Sequence, residues 1–191
     1  MVREDRVWLL KKYGAYIEGH FKLSSGLHSG AYVQCAKVLQ YPEVASEIGD
    51  YLAESFKEMN VDVVISPAIG GILIGYEVAR ALKCRCIFGE RENDIMKLRR
   101  GFEIREGEKC IIIEDVITTG KATKEMWEIT EANGGIIKGV GCIVDRSKCL
   151  ELPIRIKHYI RLEIPNYQPE ECPMCKRGEP IESPGSRWVK K

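Results

Sequence analysis

The 191-residue sequence has no apolar run near the ~18 to 20 residues needed to cross a bilayer. Its start, Met1-Val2-Arg3-Glu4-Asp5, runs into a charged amphipathic stretch and is not expected to be an export leader. A membrane partner is therefore not expected, and a cytoplasmic protein is. An excess of one charge is missing too: 29 basic residues against 28 acidic ones leave +1, which gives no reason to expect a nucleic-acid partner. There is no internal repeat and no low-complexity tract. Disorder is excluded by a hydrophobic fraction of 45% beside a charged fraction of 30%. A chain of this length buries roughly 70% of its unfolded surface, so it does not depend on disulfides. The eight cysteines (35, 84, 86, 110, 142, 149, 172 and 175) are expected in reduced form. Cys84, Cys86, Cys110 and Cys142 sit in apolar runs, where cysteine acts as a small hydrophobe.

Strand and helix patterns alternate along the chain. Residues 3–13 carry a weak helical stripe. Over 42–60, Pro42 suits a first helical turn, and Val44, Ala45, Ile48, Tyr51, Leu52, Ser55, Phe56 and Met59 follow core-facing helical spacing. The β-branched run 61–66 predicts a buried strand that breaks at Pro67-Ala68-Ile69-Gly70-Gly71. A second helix should then face the sheet with Ile72, Gly75, Tyr76, Val78, Ala79 and Leu82. Residues 84–90 predict another strand, and the charged stretch 91–106 a long loop or mobile β-arm. Cys110-Ile111-Ile112-Ile113 is the most apolar strand, with Glu114-Asp115 at its carboxyl end. A helix over 121–133 closes on Gly134-Gly135, and strands follow at 136–144 and 154–160. This order implies an α/β fold, a mostly parallel central sheet flanked by helices, with ligands bound beyond the carboxyl ends of the strands. Loops 66–71, 89–106 and 114–123 should line that site. Near Pro165 the composition turns rich in proline and cysteine, which divides the chain into a domain of residues 1–165 and a short C-terminal tail of 166–191.

Chemistry concentrates in residues 110–123. Two carboxylates, Glu114 and Asp115, emerge from a buried strand, Val116-Ile117 bends, and Thr118-Thr119-Gly120-Lys121-Ala122-Thr123 turns into a helix. A helix N-terminus offers unpaired N–H groups and the positive end of a dipole, which suits a phosphate. The threonine hydroxyls add donors, and Gly120 admits close backbone approach. Carboxylates would repel a phosphate, so they must serve sugar hydroxyls or a bridging Mg²⁺. A phosphate at the helix and a diol one sugar-width away describe a ribose 5-phosphate. The plain alternative is an ordinary strand-to-helix turn capped by threonine. The glycine-lysine spacing does not fit a Walker-type loop.

Residues 110–122 are similar throughout to the thirteen-residue signature of the type I phosphoribosyltransferases. The resemblance covers about residues 5–165 and implies a parallel-stranded core with flanking helices and a small hood. It also implies displacement of pyrophosphate from phosphoribosyl diphosphate by a nitrogenous base, with Mg²⁺ as cofactor. Carried over, Glu114 and Asp115 face the ribose hydroxyls, and Thr118, Thr119, Gly120, Lys121 and Ala122 hold the 5-phosphate. Val116 and Ile117 complete that stretch of the donor site, and Pro67-Ala68-Ile69-Gly70-Gly71, with Gly70 and Gly71 as its donor-binding candidates, is the pyrophosphate loop. Leu23 to Tyr32 resembles the segment that closes over orotate in the orotate-using members. Arg146 stands where an arginine faces the orotate carboxylate, a pairing for which its planar fork is suited. Thr118, Arg146 and Tyr32 are thus the orotate-binding candidates, and transfer to orotate is the expected reaction of pyrimidine synthesis. The chain departs from the family at Ser24 and Gly70, where many members have lysine, and at Glu92 after Arg91. Lys97 with Arg99 or Arg100 is expected to take over the pyrophosphate contacts, reaching into the neighbouring subunit of a homodimer, and Arg91 to bind the donor. Asp115 is also a candidate proton shuttle, although orotate N1 is acidic enough to need no strong base.

Cys172-Pro173-Met174-Cys175 is one Cys-x-x-Cys, half of a zinc site. Cys149, Cys35 or the same pair of a second subunit could complete it; redox use and plain structural cysteines are the alternatives. His20, His28 and His158 share no ligand spacing and read as ordinary surface or loop residues, with His28 inside the orotate-closing segment. Trp127 reads as helix packing and Trp188 as a tail anchor or an exposed residue. Two rival functions remain. A purine or xanthine phosphoribosyltransferase would share the signature but has no need of Arg146. A phosphoribosyl-diphosphate-sensing regulator that binds nucleic acid would want a basic face.

Overall fold

The computed structural model describes residues 3–23, 25–147, 150 and 152–183. Ser24, Cys149 and Trp188, singled out above, lie outside the described residues. The first elements are α1 (Arg3–Lys12), β1 (Tyr16–Lys22), β2 (His28–Val33), α2 (Ala36–Leu39), α3 (Pro42–Glu54), β3 (Val63–Pro67) and α4 (Gly70–Leu82). Then come β4 (Arg85–Glu92), β5 (Ile95–Leu98), β6 (Lys109–Ile117), α5 (Lys121–Ala132), β7 (Ile136–Asp145), β8 (Lys157–Arg161), β9 (Asn166–Tyr167) and α6 (Pro173–Lys176).

The chain forms two compact units, one from Val38–Arg161 and one from Met1–Lys37 together with Leu162–Lys191. This differs from the division at 165/166, because the tail does not stand by itself. Its strand β9 pairs antiparallel with β2, which β1 flanks on the other side, giving a three-stranded sheet β1-β2-β9. Strands β1 and β2 are not announced by the sequence pattern. Strand β1 carries a ladder irregularity between Glu18 and Phe21, and it buries two successive residues, His20 and Phe21. That breaks the alternation by which a half-buried strand is recognised.

The larger unit carries the expected mostly parallel sheet, in the order β5-β4-β3-β6-β7-β8. Every pair is parallel except β4 with β5. The central strands are deeply buried: β3 at every position, and β6 from Cys110 to Glu114. Helix α3 begins on Pro42 and buries Val44, Ala45, Ile48, Gly49, Leu52 and Ala53. It stops at Glu54 rather than 60, and a separate 3₁₀ turn covers Lys57–Met59. Helix α4 buries Gly71, Ile74, Gly75, Val78 and Ala79. Tyr76, expected to face the sheet, lies off that stripe and is exposed. On the other face α5 closes over Ile65, Ile87, Met96, Cys110, Ile112, Val140 and Cys142 through Met126, with Trp127 and Ile129 packed alongside.

The charged stretch after Glu90 is half strand and half loop. Strands β4 and β5 form a hairpin in which Glu92 pairs with Ile95. Its two turn residues, Asn93 and Asp94, both have positive φ (50° and 62°). A two-residue turn of that hand matches the twist of the flanking strands, and asparagine and aspartate tolerate it best after glycine. No helix of the described residues is long and apolar enough to cross a membrane.

Candidate functional site

The site is built on the carboxyl ends of β3, β6 and β7. The sequence pattern ends the central strand at Ile113 and places Val116-Ile117 in a bend. Instead β6 runs through Ile117, with Val116 paired to Val144 and Ile117 to Asp145. Glu114 and Asp115 therefore lie within a strand, where successive side chains point to opposite faces. Asp115 faces the start of α4, so that a Cβ added at Gly70 would lie 2.5 Å from its Oδ2. Glu114 faces α5, where Thr123 Oγ1 donates a hydrogen bond to its Oε1.

Both carboxyls are perturbed. Burial pushes Glu114 up to about 7, against the opposing effect of the Thr123 hydrogen bond, and the neighbouring charges of Asp115 and Glu125 push the same way as burial. Burial also raises Asp115 above the usual aspartate range, while backbone N–H donors hold it down. Carboxyls raised by burial at a strand end are frequent at functional sites.

Beyond β6, Thr118 and Thr119 are exposed at the rim. Gly120 takes φ +70° as the residue before α5, a conformation that favours glycine. Gly120 brings no side-chain cap to this helix, and Thr119 Oγ1 accepts from Lys121 N at 3.4 Å. On the other side of β6 the 67–71 segment passes from β3 straight into α4. Its Ala68–Ile69 peptide bond is cis, and Ala68 N donates to Gly89 O at 2.7 Å, tying the segment to β4. Arg146 follows β7, and its N–H donates to Ile117 O at 2.8 Å. The preceding Asp145 is buried; its Oδ1 accepts from Ser147 N at 2.8 Å and Ser147 Oγ at 2.6 Å, and its Oδ2 lies 3.5 Å from Arg161 Nη1. Asp145 thus fixes the turn that carries Arg146.

The structure brings Glu114 to Ala122, Gly70, Gly71 and Arg146 together at adjacent strand ends. The cations of the hairpin are placed differently. Arg91 forms a two-point ion pair with Glu125 on α5, with Nη1 to Oε1 at 3.1 Å. Lys97 pairs with Glu92 at 2.8 Å, Arg99 with Glu92 at 3.4 Å, and Arg100 with both oxygens of Glu90 at 2.8 and 2.9 Å. Those last three pairs are exposed, and exposed pairs hold weakly. Tyr32 lies on β2 of the smaller unit, its ring centroid 5.9 Å from that of Phe21. His20 and His28 are not surface residues: both are buried, and they meet Cys172 and Cys175 within the smaller unit. Sequence spacing could not show this, because the two pairs come from distant segments. No disulfide joins any of the described cysteines.

Comparison with known proteins gives four findings. Residues 35–174 match the family described as "Phosphoribosyl transferase domain". The chain is 53% identical over 191 residues, all of both chains, to a protein of Caldicellulosiruptor saccharolyticus named orotate phosphoribosyltransferase. It is 51% identical over 188 residues to one of the same name from Caldicellulosiruptor bescii, covering 98% of this chain and 99% of the other. Its fold is similar to the crystal structure of orotate phosphoribosyltransferase from Aeropyrum pernix, with a TM-score of 0.71 at 24% identity, covering 82% of this chain and 93% of that one.

Proposed function

Since the chain belongs to the phosphoribosyl transferase family, we propose that it transfers the phosphoribosyl group of phosphoribosyl diphosphate to orotate, yielding orotidine 5′-monophosphate and pyrophosphate. The observation that carries the choice of base is full-length relatedness to proteins named for orotate. The arginine at the tip of β7 supports it, since Arg146 is held by its backbone against the end of β6.

In this reading the turn Thr118–Ala122 and the N-terminus of α5 receive the 5-phosphate. Asp115 and Glu114 accept hydrogen bonds from the ribose hydroxyls, Glu114 being held in place by Thr123. Gly70 and Gly71, at the start of α4, face the pyrophosphate. Arg146 pairs with the orotate carboxylate. The bond from C1 to the pyrophosphate oxygen breaks with its electron pair leaving on oxygen, and orotate N1 closes on C1. The N1 proton, if still present, passes to Asp115, whose burial-raised carboxyl is fit to hold it. Lys97 and Arg100 leave their weak pairs with Glu92 and Glu90 to meet the departing charge. The residues fit Mg²⁺: oxygen donors suit it, and Gly70 leaves open the space before the Asp115 carboxylate that a Cβ would fill. When bound, Mg²⁺ neutralises charge on the pyrophosphate oxygens.

The reading includes a cytoplasmic homodimer. Supporting the dimer, Ile69 before α4 and Leu73 and Tyr76 on it are 85%, 52% and 61% exposed at i, i+4, i+7 spacing. This apolar stripe is suited to a second copy of the chain. The test is a spectrophotometric assay of orotate consumption with phosphoribosyl diphosphate and Mg²⁺, beside adenine, hypoxanthine and xanthine. Orotate alone should be consumed; turnover of a purine without turnover of orotate would overturn the assignment.

A further inference from the structure

We infer that His20, His28, Cys172 and Cys175 form a closed, tetrahedral Cys₂His₂ site for a structural Zn²⁺ that clips the C-terminal tail to the β1–β2 hairpin. One ligand atom from each residue lies within 4.8 Å of all the others. Those atoms are His20 Nε2, His28 Nδ1 and the two Sγ atoms. His20 Nε2 is 3.1 Å from His28 Nδ1, 3.5 Å from Cys172 Sγ and 3.7 Å from Cys175 Sγ, and Cys175 Sγ is 3.3 Å from His28 Nδ1. A tetrahedral ion with Zn–S of about 2.3 Å and Zn–N of about 2.0–2.1 Å sets edges of about 3.5–3.6 Å between S and N and about 3.3–3.4 Å between two nitrogens. The observed spacings scatter around those edges.

Hydrogen bonding alone does not account for the convergence. His20 Nδ1 is 3.0 Å from the carbonyl oxygen of Glu179 and donates to it. That fixes the tautomer and leaves Nε2 with a single lone pair. Three groups crowd that lone pair, and it can serve only one of them well; one cation at their centre serves all four. The carbonyl partner of His20 is the outer hydrogen bond that metal-bound histidines commonly have. Two thiolates with two imidazoles select zinc over the hard cations, and four protein ligands leave no open position for catalysis.

The local chain is shaped for the task. The irregularity in β1 puts His20 indoors beside Phe21, and His28 opens β2 one strand away. Cys172 precedes α6 and Cys175 lies within it, with Lys176 N donating to Cys172 O at 3.1 Å, so one tight turn presents both sulfurs. The unit they join is small, and small units commonly need a metal or a disulfide to hold.

The test uses the full chain, purified under reducing conditions after growth with zinc, with metal measured by mass spectrometry and coordination by X-ray absorption. The expected result is one zinc per chain with two sulfur and two nitrogen neighbours. His20→Ala with His28→Ala should lose the zinc as completely as Cys172→Ser with Cys175→Ser. Zinc-free protein that takes up no stoichiometric Zn²⁺ on titration would overturn the inference. So would a four-sulfur shell, or full zinc retention after loss of both histidines. Because the wild-type chain answers the first two points, misfolding of a variant cannot mask the outcome, and none of the readouts depends on turnover.

Discussion

Glu114 should make the stability of this protein fall as pH rises from about 4.5 to about 7. In the unfolded chain its carboxyl ionises near 4.5; in the folded one burial between β6 and α5 moves this to about 7. Between those values the folded state holds a proton that the unfolded state has released, so stability declines with rising pH and the loss is complete above about 7. The difference of 2.5 between 7 and 4.5 corresponds to about 3 kcal/mol at most. Glu114→Gln removes the titration but keeps an oxygen to accept from Thr123. The stability gap between variant and parent should therefore widen by roughly 2–3 kcal/mol between pH 5 and pH 8.5, or roughly 5–10 °C in midpoint for a chain of this size. Urea or thermal unfolding of both proteins across that range measures it. Parallel pH profiles would refute the reasoning, since they would mean that Glu114 ionises alike in both states. The same variant should lose turnover if the carboxylate receives a ribose hydroxyl, and a gain in stability with a loss of activity marks a group kept for function.

Arg146→Ala should raise the KM for orotate by roughly 10- to 100-fold, from the loss of charge-assisted hydrogen bonds, and leave that for phosphoribosyl diphosphate nearly unchanged. Arg146→Lys should recover little, because lysine has no planar fork; equal effects on both substrates would remove Arg146 from the orotate site. Joint replacement of Lys97 and Arg100 by alanine should cut kcat by about 10²- to 10³-fold, with the unfolding curve unmoved, since both pairs are exposed. Unchanged turnover would discard the hairpin cations. Activity regained on mixing that variant with Asp115→Asn chains would show that the hairpin serves the partner's site.

The central site was legible because its logic is local. Apolar Cys110–Ile113, the acids at 114 and 115 and the turn through Gly120 are contiguous, and a strand, a reversal and a helix follow from them directly. What the sequence did not yield depends on partners far along the chain. The opposite orientation of Glu114 and Asp115 follows from β6 continuing to Ile117, which its pairing with β7 decides. The exposure of Tyr76 follows from which stripe of an apolar helix meets the sheet, and α4 is apolar on more than one side. The hairpin at 93–94 had a readable signal, two adjacent turn residues, but charged strands around it obscured the alternation. The meeting of His20 and His28 with the distant cysteines left no trace in spacing at all.

The small sheet β1-β2-β9 sets a schedule for synthesis. Its inner hairpin emerges early, yet the segment that covers its edges comes much later, with Glu182 bridging beside Phe21, Tyr167 opposite His28, and Cys175 following His28 by 147 positions. An isolated two-stranded hairpin is barely stable in water. At about 5–20 residues per second a ribosome leaves it waiting for roughly 7–30 seconds, time enough for the larger unit to fold while both hairpin edges stay open to other chains.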